Sequence, residues 1–135
     1  MSEQENTRVV QEVYAAFSRG DVPFILNALA DQFEWHNPGP QTILPWAKSR
    51  HTKEEVADFF QALNQALEFQ QFEPREYVAQ GDKVVALGYY RARSKSTGRT
   101  FEEQWAMEWT IRDGKVVGYR AYDDTAAMAA ALRPS

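Results

Sequence analysis

A polar stretch near the end of the chain carries the residues best suited to proton chemistry. Arg120, Tyr122 and Asp124 alternate along the run after Asp113-Gly114, so a strand there places them on one face. An apolar pocket raises the pKa of a carboxyl group, which makes it a useful general base, and a tyrosine can donate to a developing oxyanion. We therefore predict Asp124 as a catalytic base, Tyr122 as a catalytic hydrogen-bond donor and Arg120 as a substrate-binding residue. Tyr122 can equally be a core aromatic.

The two acids in this stretch have other interpretations as well. Asp124 can instead cap a C-terminal helix, in which case its pKa is lowered. Arg120 can form a cross-strand ion pair with Glu103 or Glu108. Asp123 has the opposite parity to Asp124 and is expected to point to solvent or to a subunit interface. A register shift of one residue would exchange the faces of the two aspartates.

Histidine offers a second source of proton chemistry. His36 precedes a proline-rich loop and titrates near neutrality, so we predict it as a catalytic acid or proton shuttle, with a structural or exposed role as the alternative. His51 lies in a charged context and is expected to be solvated. With two histidines, no cysteine and no paired acidic ligand motif, the sequence predicts no catalytic metal.

Aromatic residues are abundant and are predicted to line a pocket for a small hydrophobic molecule. Trp46 is the strongest candidate because it lies on a stiff loop, outside any periodic element. Glu103 is predicted to be an inward-facing acid on the same strand face as Trp105, Met107 and Trp109, with a surface charge near the strand end as the alternative. About half of the predicted pocket-lining residues are expected to be ordinary core. The predicted substrate-binding residues besides Arg120 are Trp35, Trp46, Phe59, Phe60, Tyr90, Glu103, Trp105, Met107 and Trp109.

Hydrophobic periodicity indicates the elements that must position these residues. Helical spacing is followed by a short strand, a further helix and an antiparallel meander, and this order is typical of an α+β fold. Asp113-Gly114 predicts a tight hairpin, and Thr52 with Glu55 predicts a capping box. Residues 69–74 are interpreted as a connection. The predicted helices cover 5–18, a short segment from Asp21, 52–67 and 125–132, and the strands cover 33–36, 75–80, 83–94 and the two runs flanking Asp113-Gly114.

Composition bounds the function. The 135 residues contain no linker-like segment, so we expect a single domain over 1–135. A formal charge of −4 with scattered basic residues argues against nucleic acid, and no apolar run is long enough to cross a membrane. The acidic, polar N-terminus does not have the pattern of a signal peptide, so we expect a cytoplasmic protein.

The motifs and their order resemble the SnoaL-like domains of the nuclear transport factor 2-like, or ketosteroid-isomerase-like, superfamily. The resemblance covers nearly the whole chain and rests on the order and spacing of several segments together. These are Trp35-His36-Asn37-Pro38-Gly39-Pro40, Leu44-Pro45-Trp46, the helix over 52–67, Gly81-Asp82-Lys83-Val84, Arg112-Asp113-Gly114-Lys115-Val116 and Arg120-Ala121-Tyr122-Asp123-Asp124-Thr125.

This resemblance implies a cone-shaped α+β barrel. Three helices from the N-terminal half would pack on a strongly curved, mixed but mostly antiparallel sheet with an internal pocket. It also implies a homodimer formed through the sheet and no metal or organic cofactor. Asp124 resembles the aspartate that ends the last strand in many SnoaL-like sequences, and an aspartate acts as acid and base in the polyketide cyclases.

Two functions remain open at this stage. The first is a cofactor-free acid/base enzyme of isomerase, cyclase, dehydratase or epoxide-hydrolase type, acting on a hydrophobic carbonyl compound or epoxide. The alternative is a non-catalytic ligand-binding or protein-interaction domain of the same fold. The shared strand face of Arg120, Tyr122 and Asp124 favours the enzyme.

Overall fold

The computed structural model describes residues 2–134 and contains four helices and one six-stranded sheet within that range. The elements in chain order are α1 (Glu3–Ser18), α2 (Val22–Ala28), β1 (Leu29–His36), β2 (Ser49–Arg50), α3 (Lys53–Ala66), β3 (Leu67–Gln80), β4 (Lys83–Ser94), β5 (Thr100–Arg112), β6 (Lys115–Tyr122) and α4 (Thr125–Leu132).

Local sequence signals set the helix starts. Ser2 and Glu5 form a capping box at α1, and Thr52 and Glu55 form the predicted one at α3. Asp21 caps α2 and accepts a hydrogen bond from the Phe24 backbone amide. Each box satisfies backbone amides that would otherwise lack partners in the first turn.

The strand order is β2-β1-β6-β5-β4-β3, and the sheet is open. β1 runs parallel to β6, whereas the other neighbouring strands are antiparallel. Asp113 and Gly114 both have positive φ, 51° and 76°, which is the conformation that a two-residue hairpin turn requires. The predicted hairpin is therefore confirmed.

The segment predicted as a connection is part of a strand. Phe69, Phe72 and Pro74 lie within β3, which pairs with β4 along its whole length. Its pairing shifts register between Phe69 and Gln71 and again between Pro74 and Glu76. Such irregularities let an edge strand contain a proline, and they conceal the alternation that sequence analysis needs.

A second irregularity lies where β5 pairs with β6. Ile111 pairs with Val116 and Thr110 pairs with Gly118, so Val117 is an extra residue in β6. This β-bulge reverses the parity of the remainder of the strand. Tyr119 and Ala121 are consequently buried, whereas Arg120 and Tyr122 are exposed.

The helices cover one face of the sheet, and a single apolar core lies between the two layers. Tyr14 of α1 contacts Trp105 and Trp109 of β5, and Phe59 of α3 contacts Trp35 of β1. The predicted fold, with α1, α2 and α3 on a mixed and mostly antiparallel sheet, is confirmed. No helix within residues 2–134 is long and apolar enough to cross a membrane.

Candidate active site

A narrow cavity of about 70 Å³ lies between the helices and the sheet. Its walls are almost entirely apolar, and its polar groups are tyrosine hydroxyls, indole nitrogens, one amide and one carboxyl group. The lining residues are Val13, Tyr14, Phe17, Ile25, Trp35, Asn37, Trp46, Phe59, Phe60, Leu63, Phe69, Phe72, Tyr90, Met107, Trp109, Tyr119, Asp123 and Met128.

Two carboxyl groups meet at the end of this cavity. Asp123 lines it, and Glu103 lies behind Asp123 within hydrogen-bonding reach. Tyr90 Oη donates to Glu103 Oε2 over 3.1 Å, and the Asp124 backbone amide donates to Glu103 Oε1 over 3.3 Å. Glu103 is 5% exposed, so solvent does not compensate its charge, and no salt bridge among residues 2–134 involves it.

Burial sets the protonation of this pair. Burial, together with the hydrogen bond and the charge of Asp123, raises the pKa of Glu103 to about 9. Burial also raises the pKa of Asp123, while the hydrogen bond from Glu103 opposes that rise. At neutral pH Glu103 therefore keeps its proton, since two carboxylates this close cannot both ionise at ordinary values.

A chain of hydrogen bonds orients the polar groups beside Asp123. Trp35 Nε1 donates to Asn37 Oδ1 over 2.9 Å, which turns the Asn37 amino group toward Tyr119. Burial raises the pKa of Tyr119 well above its ordinary value, while the hydrogen bond from Asn37 opposes that rise. Tyr119 is therefore a neutral phenol whose hydroxyl proton is available for donation.

The loop over 37–48 forms one end of the cavity. Arg50 is 1% exposed and donates from Nη1 to the Trp46 carbonyl over 2.7 Å. Its guanidinium lies 5.2 Å from the centroid of the Phe59 ring. This contact joins the loop to α3 and holds the Trp46 side chain in the cavity wall.

Seven of the predicted substrate-binding residues line the cavity, namely Trp35, Trp46, Phe59, Phe60, Tyr90, Met107 and Trp109. Two others are buried without reaching its surface. Glu103 contacts Asp123 and Tyr90, and the Trp105 ring stacks on Phe72 at 5.2 Å.

The remaining predicted site residues lie away from the cavity. The bulge in β6 places Arg120 and Tyr122 on the outer face, where Tyr122 Oη donates to Glu108 Oε1 over 3.1 Å. Asp124 Oδ1 accepts from the Ala127 amide and caps α4. His36 lies on the same outer face, opposite Arg120 in the β1–β6 strand pairing. Its Nδ1 lies 2.8 Å from Ser49 Oγ.

The structure thus corrects the parity predicted for the two aspartates: Asp123 faces the cavity and Asp124 does not. Asn37 and Tyr119 are further polar residues that sequence analysis missed. The signal for Tyr119 was Gly118, because a glycine inside a strand often marks a bulge. Asn37 continues the buried parity of Phe33 and Trp35 beyond the end of β1.

Within residues 2–134 no three histidine, aspartate or glutamate side chains gather into a metal site. The polar groups of the cavity instead pair with one another as donors and acceptors. Together the fold and the cavity define an α+β pocket protein with a buried pair of carboxyl groups. The chain belongs to the SnoaL-like domain family, which matches residues 10–119.

Solved structures agree with this assignment. An NTF2-like protein from Burkholderia xenovorans is 38% identical with a TM-score of 0.89, covering 98% of this chain and 99% of the other. An NTF2-like protein of unknown function from Burkholderia pseudomallei is 28% identical, also with a TM-score of 0.89, covering 99% and 100%. TerC, co-crystallised with polyporic acid, is 24% identical with a TM-score of 0.85, covering 96% and 99%, and so shares the fold. No curated protein sequence is significantly similar to this chain.

Proposed function

We propose that this protein is a cofactor-free acid/base enzyme of isomerase, cyclase or dehydratase type, acting on a mostly apolar carbonyl compound. The observation that supports this proposal is the Glu103–Asp123 pair at the end of an apolar cavity. A buried pair with one shared proton supplies a base and an acid at neutral pH.

In the proposed reaction, Asp123 is the base. Its carboxylate lines the cavity, and it removes a proton from the carbon next to the substrate carbonyl. The C–H electron pair becomes the enolate π bond, and the carbonyl π electrons move to oxygen. The raised pKa of Asp123 brings it closer to that of the carbon acid, and Glu103 donates a hydrogen bond that holds the carboxylate in place.

Tyr119 is the proposed donor to the enolate oxygen. Asn37 already donates to the Tyr119 oxygen, so the hydroxyl proton is directed elsewhere. A neutral phenol in a dry site stabilises developing negative charge more effectively than one in water. Protonation of the enolate at another carbon, or loss of a leaving group, would then complete an isomerisation or an elimination.

The experiment is proton exchange in D2O with phenylacetone and 2-tetralone, two apolar ketones whose α-hydrogens are read by ¹H NMR. We expect the protein to accelerate exchange, and we expect Asp123→Asn to lower that acceleration at least about 100-fold, the usual contribution of a positioned base. The substitution keeps the size of the side chain and removes its basicity.

Asp124→Asn is the matched control, because asparagine also caps helices and the Asp124 carboxylate points away from the cavity. We expect its exchange rate to equal that of the unmodified protein. Loss of exchange in Asp124→Asn with retention in Asp123→Asn would reverse the assignment of the base. Absence of accelerated exchange with both ketones would contradict the enzymatic proposal.

One observation favours the alternative of a non-catalytic protein-interaction domain of the same fold. The cavity volume is about 70 Å³, less than the roughly 150 Å³ cavity that admits a benzene ring in an engineered core. Such a domain would not accelerate exchange with either ketone, so the same experiment separates the two functions.

A further inference from the structure

The cavity has a larger neighbour. A groove of about 810 Å³ opens on the surface between α2, α3 and the first half of β3. The cavity and this groove share a common wall. The shared residues are Phe17, Ile25, Phe60, Leu63, Phe69 and Phe72.

Four phenylalanines form most of this wall, and all four are half-buried. The Phe17 ring lies 4.9 Å from Phe72, 5.6 Å from Phe69 and 6.1 Å from Phe60, measured between centroids. The rings come from α1, α3 and β3, so no single element holds them together. Rotation of one or two side chains would join the cavity to the groove without moving the backbone.

The far side of the groove is polar. Glu68 pairs with Arg93, and Lys95 Nζ donates to the Asn64 carbonyl over 2.6 Å. Within residues 2–134 the side-chain amides of Gln61 and Asn64 have no protein partner. These amides lie three residues apart on α3, so they are neighbours on one helix face.

We propose that the cavity and the groove form one two-part site for an elongated substrate. A flat apolar head would occupy the cavity, and a neutral tail bearing hydroxyl or carbonyl groups would lie in the groove against Gln61 and Asn64. Entry of the head displaces the phenylalanine wall and enlarges the cavity. The inference rests on the proposed function only in placing the reacting end of the substrate at Asp123.

The charges of the groove set the chemistry of the tail. Amides donate and accept hydrogen bonds equally well, so they suit hydroxyl and carbonyl groups. A carboxylate or phosphate tail is disfavoured because two acids, Asp21 and Glu68, line the groove against one cation, Lys95. A fully apolar tail would leave the two amides without partners when they are covered.

Two phenols that differ only in the tail test this proposal. 4-Methoxyphenol carries a methyl group on its ether oxygen, and arbutin, 4-hydroxyphenyl β-D-glucopyranoside, carries a glucosyl group there. Both present the same phenol to the carboxyl pair. Binding is measured by titration of ¹H–¹⁵N NMR spectra, which also record the side-chain amides of glutamine and asparagine.

We expect arbutin to bind about tenfold more tightly than 4-methoxyphenol, the effect of two ordinary hydrogen bonds. The double variant Gln61→Leu/Asn64→Leu should abolish this advantage and leave 4-methoxyphenol unchanged. Gln65→Leu is the matched control, since Gln65 is exposed on α3 and lies outside the groove. It should retain the tenfold difference.

Equal affinity of the two phenols, no binding of either, or an advantage that survives the double substitution would overturn the two-part site. These results are distinguishable from failure of the proposed function. Tail-dependent binding by a protein that does not accelerate proton exchange would retain the groove and remove the catalytic role. Accelerated exchange with equal phenol affinities would retain the enzyme and remove the groove.

Discussion

Asp123 and Asp124 are adjacent in the sequence but have different roles, because their side chains lie in different environments. Asp123 lies in the short link between β6 and α4, with its carboxylate in the cavity beside Glu103. Asp124 is exposed and accepts a hydrogen bond from the first turn of α4. The cap fixes the direction of α4, and the Asp124 amide in turn donates to Glu103. Asp124 thus fixes the backbone whose amide holds Glu103, and Glu103 is the hydrogen-bonding partner of Asp123.

The stability of the protein should depend on pH through Glu103. Its pKa is about 9 in the folded state against 4.5 for the free side chain, so between these values the folded state binds more protons than the unfolded state. The free energy of unfolding should therefore fall as the pH rises through this window, by at most about 1.4 kcal/mol per unit. Glu103→Gln should flatten that slope in urea unfolding measured from pH 5 to 9.

Glu108→Gln is the control for this experiment. The hydrogen bond from Lys83 lowers the pKa of Glu108, so the stabilisation from Glu108 is present above its ordinary pKa and is lost only as the pH falls. Between pH 5 and 9 this variant should keep the slope of the unmodified protein. Parallel slopes for Glu103→Gln and the unmodified protein would contradict the shift assigned to Glu103.

At the scale of elements, alternation along strands predicted much of the site. It correctly placed Trp105, Met107 and Trp109 on one face of β5, and Trp35 on the buried face of β1. It could not place Asp123, because one bulged residue, Val117, reverses the face of everything that follows in β6. A bulge is settled by pairing with the neighbouring strand, which a single sequence does not reveal.

The first half of the edge strand β3 was missed for a related reason. Phe69 and Phe72 lie three residues apart across a register shift, so their spacing resembles a connection rather than a strand. Pro74 strengthened that interpretation, since proline is excluded from central strands. Phe69 and Phe72 were therefore absent from the predicted pocket, as was Phe17 of α1, whereas Phe60 on α3 was recovered by helical periodicity.

Close approach of β3, β4 and β5 depends on Gly88. A Cβ atom at this position would lie 2.5 Å from the Glu73 carbonyl oxygen and would also overlap the Trp105 indole. The Glu73 backbone and the packed Trp105 indole cannot both move far enough to relieve this overlap. Gly88→Ala should therefore destabilise the protein by about 3 kcal/mol. Urea denaturation monitored by tryptophan fluorescence measures this loss.

Gly118→Ala provides the comparison within the same sheet. Its Cβ would meet the Thr110 side chain at 3.2 Å and 3.3 Å, which a small side-chain shift can relieve. We expect a loss below about 1 kcal/mol. Equal losses for the two variants would show that the Gly88 position is not specially crowded.

At the scale of the whole molecule, the outer face of the sheet is the feature that bears on assembly. The helices protect only the inner face. On the outer face Val78 is 59% exposed and Tyr122 is 52% exposed, with Val85 and Leu87 half-buried between them. Charged residues lie among them: Glu108 is between Val85 and Arg120 across the sheet, and Lys83 pairs with Glu108. Exposed apolar side chains interspersed with charged ones are compatible with a protein interface.

We expect this outer face to form a homodimer. Sedimentation velocity should give a dimer for the unmodified protein, and Val78→Asp with Tyr122→Asp should give a folded monomer, because two buried carboxylates per subunit would lack partners across the interface. Phe24→Asp on α2 is the control: it introduces the same charge at a residue that is 36% exposed and lies away from the sheet. A dimer that persists in the double variant, or an unmodified protein that sediments as a monomer at high micromolar concentration, would leave this face without a self-association role. Because the cavity opens on the opposite layer, the monomeric variant should still bind apolar phenols, which would separate assembly from the chemistry of the site.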